Sequence, residues 1–158
     1  MTKEEDYAAI DALTERLETT QQIDHMALWE QARDEHLANI ERMFDEGISW
    51  GVAMGAHPIL NQSEDSFRAE LQSIKQNLNA QIDIFNHGLA EYFRTGDYPP
   101  PYYPMRIAII LRKHKQLDRE RRFLSAYCEH FAPTARSRIG NKFVERARKA
   151  GIDIPDWA

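Results

Sequence analysis

Histidine, cysteine and carboxylate side chains are the groups of this chain that could catalyse a reaction or bind a metal. The six histidines are His25, His36, His57, His87, His114 and His130. None of them belongs to the Glu-x-x-His pair of di-iron bundles or to the His-Glu-x-x-His motif of zinc proteases. Cys128, Glu129 and His130 could form a ligand cluster, but Cys128 is the single cysteine, and a packed core thiol is the expected arrangement. The sequence therefore predicts a protein that is not an enzyme and that holds no metal and no cofactor.

Basic side chains are the strongest candidates for a binding site. One predicted helical hairpin holds Arg106, Arg112, Lys113, His114, Lys115, Arg119, Arg121 and Arg122, and the next segment adds Arg136, Arg138, Lys142, Arg146, Arg148 and Lys149. Such a surface is suited to the phosphates of a nucleic acid, to an acidic partner protein, or to the chain's own acidic helices. The residues alone leave these three alternatives open.

The charge of the chain changes sign along the sequence. Residues 1–97 hold 7 Lys or Arg against 19 Asp or Glu, a net charge of −12, whereas residues 98–158 hold 13 against 6, a net charge of +7. This division indicates two surfaces for different neighbours, or two halves that bind each other. The total of −5 weighs against a nucleic-acid ligand, because domains of that kind usually carry an excess of positive charge.

Residues 97–104, Asp-Tyr-Pro-Pro-Pro-Tyr-Tyr-Pro, form a Pro-Tyr strap between the two halves. Its prolines impose an extended backbone, and Pro104 suits the first turn of a following helix. Tyr98, Tyr102 and Tyr103 could serve as a docking ridge for a peptide or a stacking platform. The favoured alternative is a cover over the end of the preceding helix.

Helical periodicity positions these groups and predicts an all-α fold. Apolar residues recur at steps of three and four at Phe67, Leu71, Ile74, Leu78, Ile82, Phe85, Leu89 and Tyr92, which predicts one long helix over about 64–94. Packing in an antiparallel bundle is favoured over a coiled coil between two copies, although both bury the same seam. In an earlier helix, capped by Asp24 and Gly47, a stripe is predicted from Leu28, Ala32, His36, Ile40 and Met43.

The second half is predicted to contain a helical hairpin and a final basic helix. The hairpin covers residues 104–131 and stops at Pro133, and the final helix covers about 137–149. Phe143, Val144 and Ala147 would form the apolar stripe of that last helix.

Residues 102–131 resemble a tetratricopeptide repeat, a helix–turn–helix unit of about 34 residues. Ile107, Ala108 and Leu111 match the large, small and large positions of its first helix, and Leu124 matches a large position of its second. The departures from the repeat are Lys115 at the turn glycine, and Glu120 and Tyr127 at small positions. The resemblance implies a surface that binds a protein or a peptide.

The sequence as a whole predicts a single all-α domain, a helical bundle made of an acidic part (1–96), the strap (97–104) and a basic part (105–158). The lone cysteine, the acidic start of the chain and the absence of a long apolar run predict a cytoplasmic protein without a membrane partner.

The predicted function is that of an adaptor or regulator that binds a partner protein through the strap and the basic hairpin. The predicted contact residues are Arg106, Arg112, Lys113, Arg119 and Arg122 for charge-assisted bonds, and Tyr102 and Tyr103 as apolar anchors. Nucleic-acid binding by the basic C-terminal helices is the alternative, and the helix over 64–94 is a candidate surface for self-association.

Overall fold

The computed structural model describes residues 2–131 and 138–154, which form α-helices and one short 3-10 turn without any β-strand. The helices are α1 (Lys3–Thr19), α2 (His25–Gln31), α3 (Arg33–Glu46), α4 (Trp50–Met54), α5 (Glu64–Ile74), α6 (Leu78–Thr95), α7 (Tyr102–Lys113), α8 (Leu117–Phe131) and α9 (Arg138–Lys149), and the 3-10 turn is Pro58–Leu60. The predicted all-α fold is confirmed. In these described segments, every helix is too short or too polar to cross a membrane.

The chain divides into two compact units. Unit 1 contains Met1–Gln22, Gln76–Ile82 and Pro101–Ala158, and unit 2 contains Ile23–Lys75 and Asp83–Pro100. Unit 1 holds 15 Lys or Arg against 12 Asp or Glu, a net charge of +3, and unit 2 holds 5 against 13, a net charge of −8. The acidic helix α1 therefore belongs to the unit that also contains the basic hairpin. That all 158 residues behave as one domain stays a prediction.

Unit 1 is built around α8, which packs against α1, α7 and α9. Its buried apolar side chains include Ile10, Leu13, Leu17, Ile107, Leu111, Phe123, Leu124 and Phe143. The predicted helical hairpin is present as α7 and α8, and Pro104 lies in the first turn of α7. Lys115, at the position where a tetratricopeptide repeat has a glycine, adopts the left-handed conformation with φ 59°. A residue with a side chain thus holds the left-handed conformation that glycine usually adopts.

The predicted final helix also lies in unit 1, as α9. Its Phe143, Val144 and Ala147 are buried, which confirms the predicted stripe. Arg148 donates a hydrogen bond from Nη2 to the backbone oxygen of Ile154 at 3.2 Å. Pro133 and residues 155–158 lie outside the described residues.

Unit 2 begins with the caps that its sequence predicts. Asp24 Oδ1 accepts a hydrogen bond from the Ala27 amide at 3.1 Å, and Gly47 ends α3 in the left-handed conformation with φ 65°. Both predicted caps are confirmed. The helix between them is interrupted at Ala32, whose φ of −86° and ψ of 10° separate α2 from α3.

The predicted single helix over 64–94 is wrong, because α5 ends at Ile74 and α6 begins at Leu78. Asn77 Oδ1 accepts a hydrogen bond from the Ala80 amide at 3.0 Å, as the residue that caps a new helix does. The side chains of asparagine compete in this way with an uninterrupted helix. The coiled-coil alternative depended on a continuous helix here, and the structure does not form one.

Candidate binding sites

The basic hairpin of unit 1 binds carboxylates of the acidic helix α1. Arg119 donates from Nε to Asp11 Oδ1 at 3.0 Å and from Nη2 to Asp11 Oδ2 at 3.1 Å, and this pairing raises the pKa of Arg119. Arg122 Nε lies 2.6 Å from Glu18 Oε1. Of the three partners that the sequence left open, these two predicted contact residues therefore bind the chain's own acidic helix.

A second ion pair cluster joins α7, α8 and α9 within unit 1. The carboxylate of Glu120 is buried, and it accepts from Arg112 Nε at 3.1 Å and from Arg146 Nη1 at 3.0 Å. Two guanidinium groups thus compensate one buried carboxylate. Arg112, a predicted contact residue, holds the helices of the unit together.

The remaining predicted contact residues differ in their accessibility. Lys113 is exposed at the end of α7 and Tyr102 is partly buried. Arg106 is buried, and Tyr103 is 2% exposed and fills the core of unit 1. The structure thus places the seven residues in several surroundings within unit 1, and their joint role in binding a partner stays a prediction.

Cys128 is a core residue, as the sequence predicts. Burial raises the pKa of its thiol to about 11, so that the thiolate form needed for nucleophilic attack is rare at neutral pH. His130 Nε2 donates to the backbone oxygen of Leu17 at 2.6 Å and thereby links α8 to α1. Within residues 2–131 and 138–154, no group of three or more His, Cys, Asp or Glu side chains is arranged to hold a metal ion.

We expect Cys128 to react with Ellman's reagent at least about a hundredfold more slowly in the native protein at pH 8 than in guanidinium chloride. With a pKa of about 11, roughly one thiol in a thousand is ionised at that pH, and the surrounding core restricts access to it. The absorbance of the released thiolate measures both rates on the same sample. Equal rates before and after unfolding would contradict a core position for this thiol.

Unit 2 contains a cavity of about 260 Å³ formed by α4, the loop after it, α6 and the first half of the strap. The side chains on which its chemistry depends are Trp50, His57, His87, Glu91, Asp97 and Tyr98. The strap lies directly on α6, because a Cβ atom added to Gly88 would stand 2.9 Å from Pro99 Cβ. Glycine at position 88 is thus what permits the strap to close one side of the cavity.

The polar groups of the cavity are fixed by hydrogen bonds. His57 accepts from the Ile59 amide through Nδ1 at 3.2 Å, so in its neutral form it donates from Nε2 to Asp83 at 3.0 Å. His87 Nε2 lies 2.9 Å from the backbone oxygen of Gly55, an acceptor, and therefore carries a proton. Both rings are thus held in place by protein groups.

Asp97 is the most heavily bonded acid of unit 2. Its Oδ1 accepts from Trp29 Nε1 at 3.1 Å, and its Oδ2 accepts from His36 Nε2 and Thr95 Oγ1, each at 3.2 Å. The His36 ring stacks between Trp29 at 4.2 Å and Trp50 at 6.0 Å. This network ties the strap to α2, α3 and α4.

An apolar ridge on α3 is exposed to solvent. It consists of Leu37, Ile40 and Phe44, which are 48%, 40% and 82% exposed and follow one another at steps of three and four. The buried face of the same helix carries the polar residues His36 and Asn39. Within the described segments, seven of the eight exposed large apolar side chains belong to unit 2.

Carboxylates flank this α3 ridge along one side. Asp34, Glu41 and Asp45 are exposed and lie at spacings of seven and four on the neighbouring face of the helix. None of the three forms an ion pair with another described residue. The ridge and its flank together make an amphipathic surface with negative charge.

The chain matches no protein-family model, no curated protein and no solved structure.

Sequence reasoning missed both the cavity and the ridge. It placed Ile40 in a stripe with His36, whereas the structure buries His36 and exposes Ile40. One signal in the sequence could have revealed the ridge. Leu37, Ile40 and Phe44 recur at helical spacing on one face, while the polar Asn39 lies on another, so that the apolar face need not be the buried one. The cavity had no comparable signal, because Trp50 and His87 are brought together only by tertiary packing.

Proposed function

We propose that this protein is a non-enzymatic interaction module that binds a partner protein at the α3 ridge, Leu37, Ile40 and Phe44. One observation carries the proposal, namely three large apolar side chains in a row on the outside of one helix. Soluble proteins rarely expose contiguous apolar surface without using it, and aromatic residues supply much of the binding energy at interfaces. Phe44, the most exposed of the three, would be the principal anchor.

The partner that suits this surface is a basic amphipathic helix. A helix docks on a neighbour through apolar residues at helical spacing, and the α3 ridge has that spacing. Lys or Arg beside the partner's apolar stripe would lie opposite Asp34, Glu41 and Asp45, which have no ion-pair partner in the described residues. The net charge of −8 on unit 2 would increase the association rate of such a partner.

The strap and the basic hairpin would have a secondary part in this function. Arg119 and Arg122 are occupied by Asp11 and Glu18, so an acidic partner would have to replace those carboxylates. Lys113 is exposed and suits an additional contact. Nucleic-acid binding by the basic helices stays a prediction.

A helical peptide of leucine and lysine at amphipathic spacing provides a direct test. We expect the protein to bind it saturably and Phe44→Glu to weaken the binding at least about tenfold. The substitution removes the apolar anchor and sets a carboxylate against the leucines of the peptide, where it loses water without gaining a partner. Fluorescence anisotropy of the labelled peptide measures both affinities. Phe44 is largely exposed, so the variant should keep its fold, and circular dichroism checks this.

The matched control is Leu117→Glu, which places the same charge at an exposed apolar residue of unit 1 and should leave the affinity unchanged. A peptide of the same composition with its leucines scattered around the helix separates ridge binding from simple charge attraction. The proposal fails if Phe44→Glu binds as well as the unaltered protein, or if the scattered peptide binds as tightly as the amphipathic one.

A further inference from the structure

The cavity of unit 2 carries negative charge and aromatic surface on its walls. Its lining includes the carboxylates of Glu91 and Asp97 and the rings of Trp50 and Tyr98, whereas Lys and Arg do not line it in the part of the chain that the structure describes. Such a lining attracts a cation, and aromatic faces attract one that is poorly hydrated. The cavity volume of about 260 Å³ suits a compact group rather than a peptide segment.

The carboxylate of Asp97 has little capacity left to accept hydrogen bonds, and the carboxylate of Glu91 is paired with a guanidinium group. Asp97 already accepts from Trp29, His36 and Thr95. Glu91 accepts from Arg94 Nη2 at 2.7 Å. A primary ammonium or a guanidinium group needs several acceptors when it leaves water, whereas an alkylated ammonium needs only charge and apolar contact.

The two aromatic rings are held in place by stacking on histidines. Tyr98 stacks on His25 with 4.0 Å between ring centroids. Trp50 stacks on His36 at 6.0 Å, and His36 in turn stacks on Trp29 at 4.2 Å. Two acids line the cavity, and one of them, Glu91, is paired with Arg94, whose guanidinium also bonds to Glu35 at 2.7 Å. The other acid, Asp97, has no Arg or Lys partner in the described residues. A rigid aromatic wall beside such an acid favours a cation over a neutral ligand.

We infer that the cavity of unit 2 binds an alkylated ammonium group, as found in choline and in trimethylated lysine. Trp50 and Tyr98 supply the aromatic contact, and Asp97 and Glu91 supply the negative charge. This site is distinct from the α3 ridge, so the inference holds whether or not a partner protein binds there.

Titration with choline and with tetramethylammonium tests the inference, with tryptophan fluorescence and calorimetry as readouts because Trp50 lines the cavity. We expect saturable binding, and we expect 3,3-dimethylbutan-1-ol, the uncharged carbon analogue of choline, to bind at least about tenfold more weakly. Tyr98→Ala should weaken choline binding at least about tenfold, since it removes one aromatic wall of the cavity. Tyr98 is 43% exposed, so we expect the variant to keep its fold, and circular dichroism checks this.

The charge of the site has a matched pair of variants. Glu91→Gln should weaken choline binding about threefold or more, whereas Glu35→Gln, which alters the other partner of Arg94 but lies outside the lining, should leave it unchanged. Tyr102→Ala is the corresponding control for Tyr98→Ala, because Tyr102 belongs to unit 1.

Two probes separate the possible sources of the ammonium group. Tighter binding of choline than of a short peptide with one trimethyllysine supports a free metabolite, and the reverse order supports a modified protein. The inference is overturned if neither probe binds up to about 10 mM, if the uncharged analogue binds as well as choline, or if Tyr98→Ala and Glu91→Gln leave the affinity unchanged.

Discussion

Replacing Glu120 by alanine is expected to lower the free energy of unfolding by about 3 kcal/mol. Glu120 is 1% exposed and its carboxylate bonds to Arg112 and Arg146, so the substitution leaves both guanidinium groups without their anion. The side chains of Arg112 and Arg146 are 52% and 26% exposed, and water can solvate them in part, which places the loss at the lower end of the range for a broken buried ion pair. Urea unfolding followed by circular dichroism measures the difference.

A graded series distinguishes the charge of Glu120 from its shape. Glu120→Gln keeps the volume and one accepting oxygen, so we expect it to lose less stability than the alanine variant. Glu145→Ala is the matched control, since Glu145 is an exposed acid on α9 that pairs only with Lys149 among the described residues, and its loss should stay within about 0.5 kcal/mol. Equal stability of the Glu120→Ala and Glu145→Ala variants would show that the ion pair cluster does not stabilise unit 1.

Local signals in the sequence predicted the elements of the fold. Phe143, Val144 and Ala147 were predicted as an apolar stripe and are buried on α9, and Asp24 and Gly47 cap helices as predicted. Such features depend on residues within one or two turns of each other. They can therefore be predicted from one sequence without knowledge of tertiary contacts.

Features that depend on distant residues could not be predicted in this way. In the sequence, Glu120 is only a departure from the pattern of a tetratricopeptide repeat. Its role as a buried ion-pair partner depends on Arg146, which lies 26 residues later in the chain. The sign change of charge along the chain likewise did not show that α1 lies on the basic hairpin. The break between α5 and α6 is an error of a different kind, because its cause is local. The regular apolar pattern continues through Asn77, which predicts one helix, but the side chain of Asn77 caps the start of a new one.

The half of the strap that lies in unit 2 follows a glycine, and Gly96→Ala is expected to lower the free energy of unfolding by about 3 kcal/mol. Gly96 follows the end of α6 with φ 82°, where an L-residue with a side chain is strained by about 1–2 kcal/mol. A Cβ atom would also stand 2.8 Å from the backbone oxygen of His25 and 3.1 Å from the amide nitrogen of Trp29. These are backbone atoms of α2 that cannot turn aside, so α2 or the strap would have to move.

Gly47→Ala isolates the steric part of this effect. Gly47 also follows the end of a helix and has φ 65°, but a Cβ atom there meets nothing within 4 Å. Its substitution should cost only the conformational strain, about 1 kcal/mol, so that the difference between the two variants measures the contact of Gly96 with α2. Thermal unfolding of both proteins gives this difference, and equal losses would mean that the backbone at Gly96 does not contact α2 closely. Because Gly96 directly precedes Asp97 and Tyr98, we also expect Gly96→Ala, but not Gly47→Ala, to weaken choline binding by the cavity.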